Sequence, residues 1–439
     1  MKKKCFYFLL ATVVSLISCN RNDIREKPNI ILIMADDMGY ECLSCNGSLS
    51  YSTPVLDDLA STGIRFTNCY AQPLCTPSRI KLMTGMYNYR NYEYFGYLDE
   101  NELTFGTLFK EAGYATCIAG KWQLNGLSYD LPGYDDNSRP HLFGFDEYCL
   151  WQLTVPGNEG SRYADPVIEK NGEMLRSGIN EYGPDIFTDF IIDFINRKKD
   201  QEFFIYYPMV LVHNPFVPTP DSKEWNDPGM RLRQDNKYFS EMVNYTDKLV
   251  GKIISSLKEN KIFDNTILIF TGDNGTNRNI VTETNYGMVT GFKGNTTDAG
   301  TRVPLVISWP DALKKPSVYV GLVDFSDFMP TFADLVDADI VSDGRSLMPL
   351  FTEEKFTEKE AIFMHYDPRW GDNVNKYRNQ FARTKEYKLY QDGKFYYLPD
   401  DVLEQYPIPD SILTDEQSSI KKQLQSLIDK APGWEESIK

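Results

Sequence analysis

Four short apolar runs, each ending abruptly in a chemically loaded residue, constrain this chain more than any other feature. Residues 29–35 (NIILIMA) run into Asp36 and Asp37, and residues 114–120 run into Lys121. Residues 203–212 run into His213, with Pro208 predicting an edge position or a break partway, and residues 266–270 run into Thr271-Gly272-Asp273-Asn274-Gly275. Runs that are hydrophobic throughout, instead of alternating, are expected of parallel strands buried on both faces. Helical patterns at residues 104–112 and 239–257 lie between them. Alternating strands and helices predict an α/β fold around a large, mostly parallel sheet. Ligands of such sheets bind beyond the carboxyl ends of the strands, so four strand ends would carry two aspartates, a lysine, a histidine and an Asp-Asn pair to one rim. Asp36-Asp37 or Asp273-Asn274-Gly275 alone would be ordinary turn chemistry; their convergence is what predicts a site.

Carboxylate and amide oxygens, with no cluster of imidazole or thiolate ligands, suit calcium or magnesium rather than zinc. A divalent cation would also let several close carboxylates stay ionised.

The stretch QPLCTPSRIKLMTG (residues 72–85) predicts a helix that starts at Cys75, accepts Pro77 in its first turn and stops at Gly85. Cys75 would sit at the helix N-terminus, where free N–H groups favour an anion, with Arg79 one turn on along the same face. A thiolate is a soft nucleophile, mismatched to a hard, oxygen-ligated cation; the position calls for an oxygen.

The net charge is −16, which argues against nucleic acid and general polyanion binding, so attraction for an anion must be local. An apolar content of 42% is ample for a packed core.

CTPSR followed by LMTG resembles the signature of the type I, formylglycine-dependent sulfatases of the alkaline-phosphatase superfamily. Further motifs resemble that family: PNIILIMADDMG, AGKWQL, TGDNG, GFKGNTTDAGTRVPLVISWP and DGRSLMPLF, together covering residues 28 to 351 and, more weakly, the rest. The resemblance implies an alkaline-phosphatase-like α/β sandwich and hydrolysis of sulfate esters. It implies that a maturing enzyme converts Cys75 to formylglycine, whose hydrated aldehyde attacks sulfur and later expels sulfate. It further implies that Asp36, Asp37, Asp273, Asn274 and the modified Cys75 bind one calcium ion, that Arg79, Lys121 and Lys293 clamp the sulfate, and that His213 protonates the leaving alcohol. Many relatives have histidine where this chain has Gln123, which cannot carry a proton near neutral pH. Gln123 is therefore expected to orient the nucleophile without acting as a base. A phosphodiesterase or phosphonate monoester hydrolase of the same superfamily, or a sulfated-glycan-binding protein without catalysis, are the alternatives. The expected substrate is a sulfated carbohydrate.

The stretch MHYDPRW (residues 364–370) offers His365, Arg369 and Trp370 as candidate substrate contacts. Past residue 355, Asp392-Gly393 between β-rich runs predicts a hairpin, and Ile420, Leu424, Leu427 and Ile428 predict an amphipathic terminal helix. The N-terminus, MKKKCFYFLLATVVSLISCN, resembles a bacterial lipoprotein signal, predicting export and a lipid anchor on Cys19 as the only membrane attachment. The expected organisation is a signal over 1–18, a linker over 19–27, a catalytic domain over 28–352 and a smaller C-terminal α+β subdomain over 353–439. Apart from Cys75, the mature chain would keep Cys42, Cys45, Cys69, Cys117 and Cys149, an odd set that cannot all pair, in which Cys42-x-x-Cys45 reads as structural or free thiols rather than a redox pair or half a zinc site.

Overall fold

The computed structural model describes residues 27–155, 162–175, 177–313, 315–352, 356–370 and 376–434. The expected signal and its lipidation site, Cys19, lie outside the described residues. Among the described residues no helix is long and apolar enough to cross a membrane.

Strands β1 (Asn29–Ala35), β2 (Ile64–Tyr70), β3 (Ala115–Lys121), β4 (Glu147–Trp151), β5 (Ile168–Lys170), β6 (Glu173–Leu175), β7 (Phe203–Pro208) and β8 (Thr266–Gly272) enter one sheet. A separate ribbon, β9 (Val281–Thr284) and β10 (Gly287–Thr290), precedes β11 (Arg302–Ser308) and β12 (Ser317–Asp324), which complete the sheet in the order β12-β2-β11-β8-β1-β7-β3-β4-β5-β6. Its centre, β8-β1-β7-β3-β4, is parallel throughout, while β11 and the β5-β6 edge run antiparallel.

Every residue of β1 is buried, as its unbroken apolar run predicts. Side chains alternate across a strand, so Ile31, Ile33 and Ala35 enter one core with the helices Gly183–Lys198 and Tyr238–Glu259. Ile30, Leu32 and Met34 enter the other, against the helices Cys75–Thr84, Phe105–Glu111 and Phe328–Val336. Two helical layers thus enclose a mixed, mostly parallel sheet, the α/β sandwich expected.

One strand end differs from expectation. The run 203–212 leaves the sheet at Pro208, which has no N–H to extend the ladder. The chain then hooks over the end of β1: Met209 N donates to Met34 O, Asp36 N to Leu211 O and Val212 N to Asp36 O, all within 2.8 Å. His213 therefore rides on an irregular hook bonded to the Asp36 backbone, not on a strand end.

The C-terminal part forms a second, antiparallel sheet of β13 (Ile362–Tyr366), β14 (Asn379–Arg383), β15 (Tyr387–Tyr390) and β16 (Phe395–Tyr397), followed by the helix Asp415–Ile428. Gly393 makes the predicted hairpin turn with φ +86°, and Leu424 and Ile428 pack against Phe363, Leu389 and Phe395. The six cysteines of the described residues are free thiols.

Candidate active site

Leu74 is extended and Cys75 is the first residue of a helix buried along its whole length. Gly85 ends it in the left-handed region, φ +72°, with its N–H on Lys81 O. The residues around the cysteine lock it in place. Thr76 Oγ1 accepts from Gly96 N at 3.2 Å, Ser78 Oγ donates to Gln72 O at 3.0 Å, and Asn88 Nδ2 donates to Pro77 O at 3.0 Å. Lys81, fully buried, meets Asp324 at the end of β12 at 2.6 Å and ties the helix to the sheet.

The strand-end residues meet this helix. Asp36, Asp37, Asp273 and Asn274 are all fully buried. Asp37 has φ +61°, a conformation costing a non-glycine residue roughly 1–2 kcal/mol, and its N–H reaches Asp273 Oδ1 at 3.0 Å. Asn274 Nδ2 donates to Asp37 Oδ1 at 2.9 Å. Gly120 has φ +117°, and a Cβ there would lie 2.1 Å from Pro208 O, so only glycine lets β3 and β7 close beside Lys121. Lys121 Nζ then reaches Asp36 Oδ2 at 2.7 Å. Lys293 Nζ meets Asp37 Oδ1 at 2.7 Å, its loop pinned by Lys293 N to Thr276 O and Gly294 N to Pro73 O. Arg79 joins the halves, with Nη2 on Asp273 Oδ2 and Nη1 on Lys121 O, both at 3.0 Å. His213 Nε2 stands 3.8 Å from Asp37 Oδ2, and Nδ1 lies 2.5 Å from Asn214 O.

The electrostatics follow from this crowding. Burial alone would raise the Asp36 carboxyl, but Lys121, with His213, Arg79 and Lys293, outweighs it and holds the pKa below the usual carboxylate range. Asp273 goes the other way: burial and the neighbouring Asp36 charge push it up to about 7 despite Arg79. Burial, then Lys293, lowers His213 to about 3, so the imidazole of the free site is neutral.

Among the described residues, Asp36 Oδ1 and Asn274 Oδ1 are buried with no hydrogen-bond partner. Oxygens of Asp36 and Asp273 and the Cys75 sulfur lie within 4.8 Å of one another. Buried, hard oxygen donors with unused lone pairs, set close together, are the donor set a divalent cation binds, so these residues fit one.

Gln123, with φ +57°, borders a crevice of about 40 Å³ with Phe95, Asn125 and Gln152. Among the described residues its Oε1 is buried without a hydrogen-bond partner. Trp370 stacks on Phe95 at 4.5 Å, and Phe95 packs in one cluster with Cys75, while Arg369 Nη1 donates to Glu93 O at 3.0 Å. His365 is 2% exposed, its Nδ1 is 2.8 Å from Gln380 Nε2, and its ring packs on Trp434 at 4.8 Å. Neighbours in a strand face opposite ways, so Tyr366 turns toward Leu74, Cys75 and Phe95 instead. Tyr366 and Arg162, whose Nη1 is 3.9 Å from Asp36 Oδ2, are the site residues that sequence reasoning missed. The strand-period parity of residues 362–366 was the available signal for Tyr366; no sequence pattern flags Arg162.

Comparisons with known proteins show the family. The sulfatase family matches residues 28–338, and the C-terminal family of N-sulphoglucosamine sulphohydrolase matches residues 293–430. The chain is 30% identical to an N-acetylgalactosamine-6-O-sulfatase of Bacteroides thetaiotaomicron, over 81% of this chain and 83% of that one. It is 28% identical to human arylsulfatase A, over 84% and 75%. Among solved structures, Ps i-CgsB in complex with k-i-k-neocarrahexaose covers 92% of both chains at TM-score 0.72 and 25% identity.

Proposed function

The chain belongs to the sulfatase family and is a sulfuric ester hydrolase, and from that premise we propose that it removes O-sulfate from a sulfated carbohydrate. In this reading Cys75 is converted to formylglycine and one calcium ion binds beside it. The observation that carries the reading is the convergence on Cys75 of the orphaned oxygens of Asp36 and Asn274 with the Lys121, Lys293 and Arg79 cations.

Asp36, Asp37, Asp273, Asn274 and the modified Cys75 would hold the calcium. When bound, the ion supplies positive charge that stabilises the sulfuryl oxygens, and hydrated formylglycine supplies the oxygen nucleophile that a thiol cannot. Lys121 and Lys293, whose ammonium groups lie against Asp36 and Asp37, are the cations that would meet the sulfuryl oxygens. Arg79 keeps Asp273 and the Lys121 backbone in register with the nucleophile. Nδ1–H of His213 donates to Asn214 O, so Nε2, bare in the neutral ring, faces the ester and takes up a proton with the substrate before giving it to the leaving alcohol oxygen. An anionic ester lying between His213 and Lys293 opposes the burial and the Lys293 repulsion that keep the free imidazole neutral. Gln123 orients the nucleophile by hydrogen bonding.

Relatives named for N-acetylgalactosamine 6-sulfate support a saccharide substrate. We take residues 28–352 as the catalytic domain and 353–439 as a subdomain closing one side of the cleft. The lysine-led apolar N-terminus and Cys19 support export with lipid anchoring, and CTPSR supports recognition by a formylglycine-generating enzyme.

The test is free sulfate released from a panel of sulfated mono- and oligosaccharides by protein co-produced with that enzyme, with a phosphoester control. Release that disappears in Cys75→Ala is the expected result. Full conversion of Cys75 by peptide mass, with phosphate released and no sulfate, would overturn the reading.

A further inference from the structure

Arg162 brings a fourth cation into the site. The residue is 8% exposed, and its guanidinium lies 4.1 Å over the Trp151 ring at the end of β4. Its Nη1 is 3.9 Å from Asp36 Oδ2, an oxygen that Lys121 already holds at 2.7 Å, so it makes no hydrogen bond there. Among the described residues, Nε and Nη1 have no hydrogen-bond partner. A buried guanidinium with idle donors is costly unless a ligand completes it.

Its position indicates which part of a ligand it meets. The next residue, Tyr163, donates its hydroxyl to the backbone carbonyls of His213 and Val210, so Arg162 stands on the His213 side of the site, toward the leaving alcohol. Charge indicates what that part carries. Three carboxylates against a divalent ion and the Arg79, Lys121 and Lys293 cations leave two positive charges. A sulfate monoester brings one negative charge, which shifts toward the alcohol oxygen as the S–O bond breaks and is discharged there by the His213 proton. The site therefore stays cationic through the reaction even before Arg162 is counted.

We propose that Arg162 binds a second anionic group, a sulfate or a carboxylate, carried by the sugar unit that bears the scissile ester or by its direct neighbour. The preferred substrate is then at least doubly anionic. Guanidinium is suited to this task, since its planar donors pair with either group.

The inference rests on the sulfatase reading, and the experiment separates the two. Sulfate release is measured from an O-sulfated hexosamine, the same sugar with a second sulfate, and the same sugar linked to a uronic acid. Each is assayed with the native sequence, Arg162→Gln and Arg162→Lys, with conversion of Cys75 checked by peptide mass. The expected result is a kcat/KM preference of at least tenfold for a doubly charged substrate, lost in Arg162→Gln and partly kept in Arg162→Lys. The substrate preferred distinguishes sulfate from carboxylate. Equal losses on all three substrates, leaving their ratio unchanged, would overturn the proposal and make Arg162 part of the scissile-sulfate clamp. Calorimetric titration of the same sugars into Cys75→Ala, with and without Arg162→Gln, reads the preference without turnover. If the native sequence releases no sulfate, the sulfatase reading fails while this binding arm still decides the role of Arg162.

Discussion

Calcium binding to this site should release a proton from Asp273. In the ion-free protein, burial and the charge of Asp36 hold Asp273 at about 7, although Arg79 Nη2 is only 3.0 Å away. A cation needs the ionised carboxylate, so binding and deprotonation are linked. With a pKa near 7, roughly a tenth of the sites are ionised at pH 6 and roughly nine-tenths at pH 8, so the apparent Kd should be about tenfold weaker at pH 6, ~1.4 kcal/mol. The stability sign follows. The folded-state value of about 7 lies above the ordinary 3.8, so Asp273 costs the ion-free fold stability as pH rises from about 4 through about 7. Calcium, which favours the ionised form, should therefore raise Tm more at pH 8 than at pH 6. Calorimetry in two buffers of different ionisation enthalpy counts the protons released, and melts with calcium or EDTA at both pH values check the sign. A Kd independent of pH from 6 to 8, with no proton released, would refute the reasoning.

Other perturbations test the supports of the site. Lys81→Met strands Asp324 in the core and should cost about 3–5 kcal/mol in urea unfolding, most of it recovered by adding Asp324→Asn. Arg79→Lys keeps the charge but cannot hold Asp273 and Lys121 O together, so kcat for sulfate release should fall about 100-fold. Gln123→Ala should slow turnover without moving the pH profile, because an amide does not titrate; unchanged turnover would remove its orienting role. Gly85→Ala places a residue at φ +72° with its Cβ 2.6 Å from Met329 Cβ, and a thermal melt should show a loss of at least about 1–2 kcal/mol.

The parts legible in the sequence share one physical property: they are set by elements buried on both faces. β1, β3 and β8 bury every residue, so their apolar runs mark both the strand and the point where Asp36, Lys121 or Asp273 emerges. The nucleophile helix was legible because Pro77 and Gly85 act locally, within one turn of its ends. Where the backbone leaves the ladder, the reading weakened. The apolar run to His213 continues past Pro208 because Met209 to Val212 are buried in the hook, so hydrophobicity alone could not separate strand from loop. In β13 the run of apolar residues hid its parity, which puts Tyr366, itself fully buried, and not His365 into the cluster with Cys75. Arg162 belongs to no periodic element, and its place depends on Trp151, across a loop, and on Asp36, distant in the chain. The division has a functional sense. The end of the site that carries Asp36, Cys75, Lys121 and Asp273 is built on strand and helix termini, where geometry is rigid and locally encoded. The end that carries His213, Arg162 and Tyr366 is built from loops and from the second sheet, whose contacts exist only after folding. The class of reaction can therefore be read along the chain, whereas selection among substrates has to be sought in residues such as Arg162 beside Asp36, Tyr366 beside Cys75 and Trp370 on Phe95.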